Sequence, residues 1–108
     1  MKGEDGHLGD GVDELSGVLK LLSDQTRLGI LLALHKGEQN VAGICRMLRL
    51  AQPAVSHHLG LLRTSQMVEN RRVGKQVYYR LGRNSHRHES GIDFSVGRYL
   101  VRLQKRSD

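Results

Sequence analysis

Two stretches of this chain gather residues capable of chemistry. AQPAVSHHLGLLR, positions 51 to 63, sets Ser56 beside His57 and His58, and HRHES, positions 86 to 90, brings His86, His88 and Glu89 close together. Such residues suit a serine nucleophile with a histidine base, a metal site, or a polar surface that recognises a ligand. A serine nucleophile needs a base within hydrogen-bond reach and usually an acid to orient that base. Val55, Leu59 and Leu62 recur at helical spacing, and neighbours on a helix diverge by about 100°, so His57 does not face Ser56. The nearest acid in sequence is Glu69, and no Gly-x-Ser-x-Gly elbow exposes the hydroxyl. The residues argue against an enzyme.

Divergence also separates His57 and His58 as metal ligands, because a site on one helix uses histidines four apart. The other candidates are His86, His88 and Glu89. In an extended loop both imidazoles would lie on one side, and the three groups could hold zinc with a fourth ligand from another chain. The competing reading is a solvated loop. Cys45, the single cysteine, excludes an intramolecular disulfide and falls on an apolar helix face as core filling. No cofactor is called for.

A recognition surface fits better. With Val55, Leu59 and Leu62 inward, Gln52, Ser56 and His57 point outward together, where such side chains can hydrogen-bond base edges or phosphates. Pro53 suits the first turn of the helix, Gly60 keeps the outer surface flat, and Arg63 continues the flank. His58 lies nearer the inner edge, as a packed or backbone-bonded residue.

The remaining elements must position that helix. Apolar residues at helical spacing predict helices over about 12–22, 25–35 and 41–48, with Ser23 or Asp24 and then Asn40 as N-caps and Gly37 ending the second. Only about four residues separate the third helix from the fourth, which runs to about Thr64; the pair reads as a helix-turn-helix. Alternation then predicts strands over 67–73 and 76–81, joined at Gly74-Lys75. Arg71, Arg72, Lys75 and Arg80 make this hairpin a basic wing suited to phosphates or a minor groove. Residues 83 to 91 read as a polar loop. A last helix over about 92–105 carries Ile92, Val96, Tyr99, Leu100 and Leu103 on one face. The apolar stripes on the first and last helices suit a dimer interface.

At 108 residues the chain is expected to hold a flexible leader, 1–11, and one domain, 12–108. Its longest apolar run, Leu28 to Leu34, is too short to span a membrane, so the expected compartment is the cytoplasm. Net charge is +6, unevenly spread: residues 45 to 83 carry eight arginines and lysines against the single acid Glu69. Such a concentrated field suits a polyanion, with a basic solvated face as the plain alternative.

LLSDQTRLGILLAL, VAGICRMLRLAQPAVSHHLGLLR and MVENRRVGKQVYYRL together resemble the ArsR/SmtB family of bacterial winged-helix repressors. That family's pattern is a leucine-rich Asp-Pro-Thr-Arg helix, Ser-Gln-Pro-x-Val-Ser-x-His-Leu, and Arg-x-Gly-Arg-x-Val-Tyr-Tyr, and the match covers about residues 12 to 82. The resemblance implies a mainly α fold with a β-hairpin, ordered α-α-α-α-β-β-α, that dimerises through its first and last helices. It implies a homodimer that binds double-stranded DNA at a palindromic operator and represses its own operon until an inducer or redox change releases it. By position, Gln52, Ser56 and His57 resemble recognition-helix contacts, and Arg72, Gly74 and Lys75 the wing.

The departures fall on the sensor. Where arsenic, cadmium and lead sensors carry Cys-Val-Cys, this chain has Asn40, Val41 and Ala42. The last-helix histidines of zinc and nickel sensors are also missing, with Asp93-x-Ser95 and then no histidine from Tyr99 to Arg106. Gln25 replaces the usual Pro, and Ala51 replaces a Ser N-cap at a cost of about 1 kcal/mol. Three readings follow: a DNA-binding repressor without the usual metal sites, a winged-helix module that binds protein, and a repressor sensing metal through His86, His88 and Glu89. The residues name no inducer.

Overall fold

A computed structural model describes residues 9–107. Its helices are α1 (Val12–Leu22), α2 (Gln25–His35), α3 (Val41–Leu48) and α4 (Gln52–Thr64). Each start has a local cause. The Asp24 carboxylate caps α2 by accepting from the Arg27 N–H at 2.9 Å. Asn40 does the same for α3, accepting from the Gly43 N–H at 2.8 Å. Ala51 gives α4 no side-chain cap, and Pro53 sits in its first turn, where a missing N–H costs nothing. Between α3 and α4 the chain turns through Arg49, which takes a left-handed φ of 58° while the Leu50 N–H donates to the Cys45 carbonyl. That turn sets the angle of the helix-turn-helix. Of the expected leader, residues 1–8 lie outside the described residues, and Gly11 is the N-cap of α1.

The core draws one stripe from each helix: Leu22; Ile30, Leu31 and Leu34; Ile44; and Val55, Leu59 and Leu62, with Met67 and Val68 following α4. Burying each such side chain contributes about 1.5–3 kcal/mol. The expected hairpin is present as β2 (Val68–Val73) and β3 (Gln76–Leu81), with Val73 opposite Gln76 across the turn. A short strand not anticipated from the sequence, β1 (Gln39–Asn40), pairs antiparallel with the other edge of β3 and gives the order β1-β3-β2. Two residues are too few to display alternation.

The C-terminal quarter departs from expectation. The loop over 83–91 and the last helix over 92–105 are replaced by strands β4 (Ser85–His88), β5 (Gly91–Val96) and β6 (Tyr99–Gln104), an antiparallel meander in the order β4-β5-β6. The order α-α-α-α-β-β-α therefore fails after β3, and dimerisation through a last helix loses that helix. The physical reason lies in Phe94. A helix would strand it away from the apolar stripe, whereas a strand buries Ile92, Phe94 and Val96 together and turns Asp93 and Ser95 outward. Gly97, at φ 59°, supplies the positive φ that the Gly97–Arg98 turn needs. Beyond it, Val101 and Leu103 face the same core from β6.

The outer face of this sheet carries a polar ladder. Asp93 on β5 accepts from Arg102 on β6 at 2.8 and 2.9 Å, and from His88 Nε2 on β4 at 3.1 Å. The Arg102 guanidinium, with a smaller contribution from His88, lowers the Asp93 carboxyl to about 2. Because the folded chain holds this proton less tightly than the unfolded chain, the unfolded state binds more protons between about pH 4 and pH 2. Stability from this group is complete above that window and disappears as pH falls through it. Asp93→Asn is expected to flatten the decline in denaturant midpoint across pH 4 to 2; an identical decline in both proteins would contradict the assignment.

Candidate nucleic-acid interface

α4 buries Val55, Leu59 and Leu62 and leaves Gln52, Pro53, His57 and Arg63 exposed, with Ser56 half-buried. Gln52 and Ser56, four residues apart, are already joined: Gln52 Nε2 donates to Ser56 Oγ at 2.7 Å. The bond orients the Gln52 carboxamide along the outer face of the first turns. His57 is exposed, and its ring meets His58 edge to face with centroids 5.2 Å apart.

His58 turns inward, as its spacing predicts, but its partner is a side chain rather than the backbone. Arg27 Nη1 donates to His58 Nδ1 at 3.1 Å, and the Asp24 carboxylate lies 3.8 Å from the same nitrogen. Arg27 also donates through Nε to the Leu21 carbonyl at 2.8 Å and through Nη2 to the Lys20 carbonyl at 3.4 Å. It thus holds the end of α1 against both α2 and α4. The Arg27 N–H is the main cause, ahead of His58, of a lowered Asp24 carboxyl pKa.

On the hairpin, the alternation of side chains divides the expected wing cations. Arg71 is held by Glu38 through two bonds of 2.7 and 2.8 Å, which raises the guanidinium and lowers the Glu38 carboxyl. Arg80 donates to Glu69 at 2.7 Å. Arg72, on the other face of β2, and Lys75, in the turn, have no acidic partner among the described residues. Gly74 takes φ 62° and shapes this tip. Of the four expected wing cations, two are therefore internally neutralised and two project uncommitted.

Asn40 ties the wing to the helix-turn-helix. Its carboxamide oxygen caps α3, its Nδ2 donates to Gln76 Oε1 at 3.1 Å, and its backbone position pairs with Tyr78. Sequence reading found the cap and missed the rest, since Gln76 is remote in the chain. His86 and His88 do share the outer face of their strand, but they face Ser95 Oγ at 3.2 Å and Asp93 at 3.1 Å respectively. Among the described residues, no group of three His, Cys, Asp or Glu side chains is placed to hold a metal ion. No helix among them is long and apolar enough to cross a membrane.

Residues 24–70 match the family model described as bacterial regulatory protein, arsR family. The arsenical resistance operon repressor of Escherichia coli strain K12 is 48% identical over 65 residues, which are 59% of this chain and 56% of that protein. The crystal structure of the transcriptional repressor BigR from Xylella fastidiosa superposes with a TM-score of 0.62 at 39% identity, covering 66% of this chain and 72% of that one. The chain belongs to the arsR family. A further solved structure of similar fold is the homodimeric winged helix-turn-helix DNA-binding domain from Mycobacterium bovis, with a TM-score of 0.61 at 34% identity, covering 65% of each chain. This arsR-family chain spans 56% of the E. coli repressor and 60% of the Xylella biofilm growth-associated repressor.

The Glu38–Arg71 pair generates a prediction specific to this chain. Glu38→Ala should free the Arg71 guanidinium, raise affinity for duplex DNA by a few-fold at low salt, and steepen the log–log salt slope by up to about 1. Fluorescence anisotropy across a salt series measures both. Unchanged affinity and slope would show that Arg71 lies out of reach of a phosphate.

Proposed function

We propose that the chain is a sequence-specific DNA-binding transcriptional regulator, a homodimeric repressor acting in the cytoplasm on a palindromic operator of its own operon. The observation that carries the reading is the open face of α4. Gln52 and His57 stand exposed, and Ser56 half-buried, on the second helix of a helix-turn-helix, beside a wing tip whose Arg72 and Lys75 have no acidic partner among the described residues. A major groove admits such a helix, and cations flanking it suit the phosphates on either side. The E. coli and Xylella relatives named as repressors, and the homodimeric DNA-binding domain from M. bovis, support the same reading.

Residues 12–108 would then serve as one domain for both DNA binding and dimerisation. Gln52, Pro53, Ser56, His57 and Arg63 would form the helix contacts, and Arg72, Gly74 and Lys75 the wing. The thiolate sensing positions do not fit a metal here. Asn40, Val41 and Ala42 bring no thiolate, and the Asn40 carboxamide is committed to the α3 cap and to Gln76. A signal that releases the repressor would thus not act through thiolates at these positions.

The double variant Arg72→Ala with Lys75→Ala should weaken binding to all duplexes and reduce the salt slope by about 2, one for each phosphate left without its cation. Gln52→Ala and His57→Ala should instead narrow the gap between operator and random DNA, each base pairing with a side chain being worth about 1–3 kcal/mol of discrimination. Gel shifts with the chain's own upstream region read both effects. A wild-type chain giving no salt-sensitive shift would leave the protein-interaction module as the surviving reading.

A further inference from the structure

The meander that replaces the expected last helix ends in a free edge. On β6, Val96 opposite Tyr99 closes a two-residue turn, so Tyr99, Val101 and Leu103 direct their backbone groups toward β5. The Lys105 N–H, donating to the Ser90 carbonyl at 2.9 Å, confirms this parity. Leu100, Arg102 and Gln104 consequently direct their N–H and C=O groups away from the sheet. Among the described residues no strand pairs with that edge. Leu100, 57% exposed, and Tyr99, 38% exposed, are large apolar side chains left on it.

We propose that β6 pairs antiparallel with β6 of a second copy, about a two-fold axis at Val101, joining two three-stranded sheets into one of six strands. The proposal rests on the homodimer reading above and names its interface. Charge selects the register. An axis at Arg102 would set Arg102 against Arg102, and an axis at Leu100 would set Arg98 against Arg102, both like-charge pairs that oppose pairing. An axis at Leu103 would lay Lys105 against Val101 on the inner face. An axis at Val101 avoids all three. It places Val101 on Val101 and Tyr99 on Leu103 on the inner face, and lays Leu100 along the aliphatic stem of Arg102 on the outer face.

The same register meets an apolar feature of the single copy. A groove of about 380 Å³ runs between α2 and the end of the sheet, lined by Leu28, Leu32 and Leu103 among others. Tyr99 of the second copy arrives directly opposite Leu103, at the rim of that groove. An unpaired edge of this kind templates another strand unless something blocks it. Arg102 donates to Asp93 on β5, so its guanidinium lies back over the sheet and its aliphatic stem is what lies along the edge.

Sedimentation equilibrium on the full chain tests the interface with two variants at one exposed position. Leu100→Lys puts an ammonium beside Arg102 of the second copy, twice per dimer, and should weaken dimerisation by about tenfold or more. Leu100→Glu puts a carboxylate in the same place and should hold the dimer at least as tightly as the wild type. Circular dichroism confirms that both variants fold. Equal dimerisation by wild type and both variants overturns the interface, and equal weakening by both variants overturns the register. A wild-type chain that stays monomeric yet shifts DNA overturns this proposal alone, whereas a dimer that fails to shift DNA counts against the repressor reading alone.

Discussion

The fold is organised around one guanidinium. Arg27 lies in the first turn of α2, where its N–H completes the Asp24 cap, and its side chain reaches back to the Lys20 and Leu21 carbonyls at the end of α1 and across to His58 on α4. Helix ends expose carbonyls that need donors, and a cation there also opposes the negative end of the helix dipole. A planar group with several fixed donors can satisfy all these acceptors at once, which a lysine cannot. The orientation of α4, and with it the direction in which Gln52 and His57 point, is set by the apolar core beneath it together with this junction.

Electrostatics in the rest of the chain follow a similar economy. The basic block between residues 45 and 83 is not a uniform field, because Glu38 and Glu69 neutralise Arg71 and Arg80 on one side of the hairpin while Arg72 and Lys75 remain open at its end. Paired charges at the hairpin base fix β2, β3 and the segment before β1 relative to one another. Unpaired charges at the tip keep their full attraction for an anion. Net charge alone would have credited the wing with twice its available cations.

Much of this was legible in the sequence because the signals were local. Val55, Leu59 and Leu62 announce the buried face of α4, Asp24 and Asn40 announce caps, and Gly74 announces the turn of the hairpin. What escaped were interactions between residues far apart in the chain: Arg27 with His58, Glu38 with Arg71, and β1 with β3. The C-terminal meander failed for a different reason. Ile92, Val96, Tyr99, Leu100 and Leu103 satisfy a helical period by coincidence, and only Phe94, with the alternation Ile-Asp-Phe-Ser-Val and the Gly97-Arg98 pair, argues for strands. Giving weight to that one misplaced aromatic would have reversed the assignment.

The strand β1 is two residues long, yet Gln39 meets Tyr79 only after the whole of α3, α4 and β2 has been laid down between them. Helices and hairpins close short loops, and the meander joins only strands that are neighbours in sequence, so these pairings cost little loop-closure entropy. The β1–β3 bridge is the strand pairing that closes the longest loop. The hairpin is therefore held to α4 twice, once by the short connection through Met67 and Val68, which bury against Leu59 and Leu62, and once through this bridge and the Asn40–Gln76 bond at the start of α3.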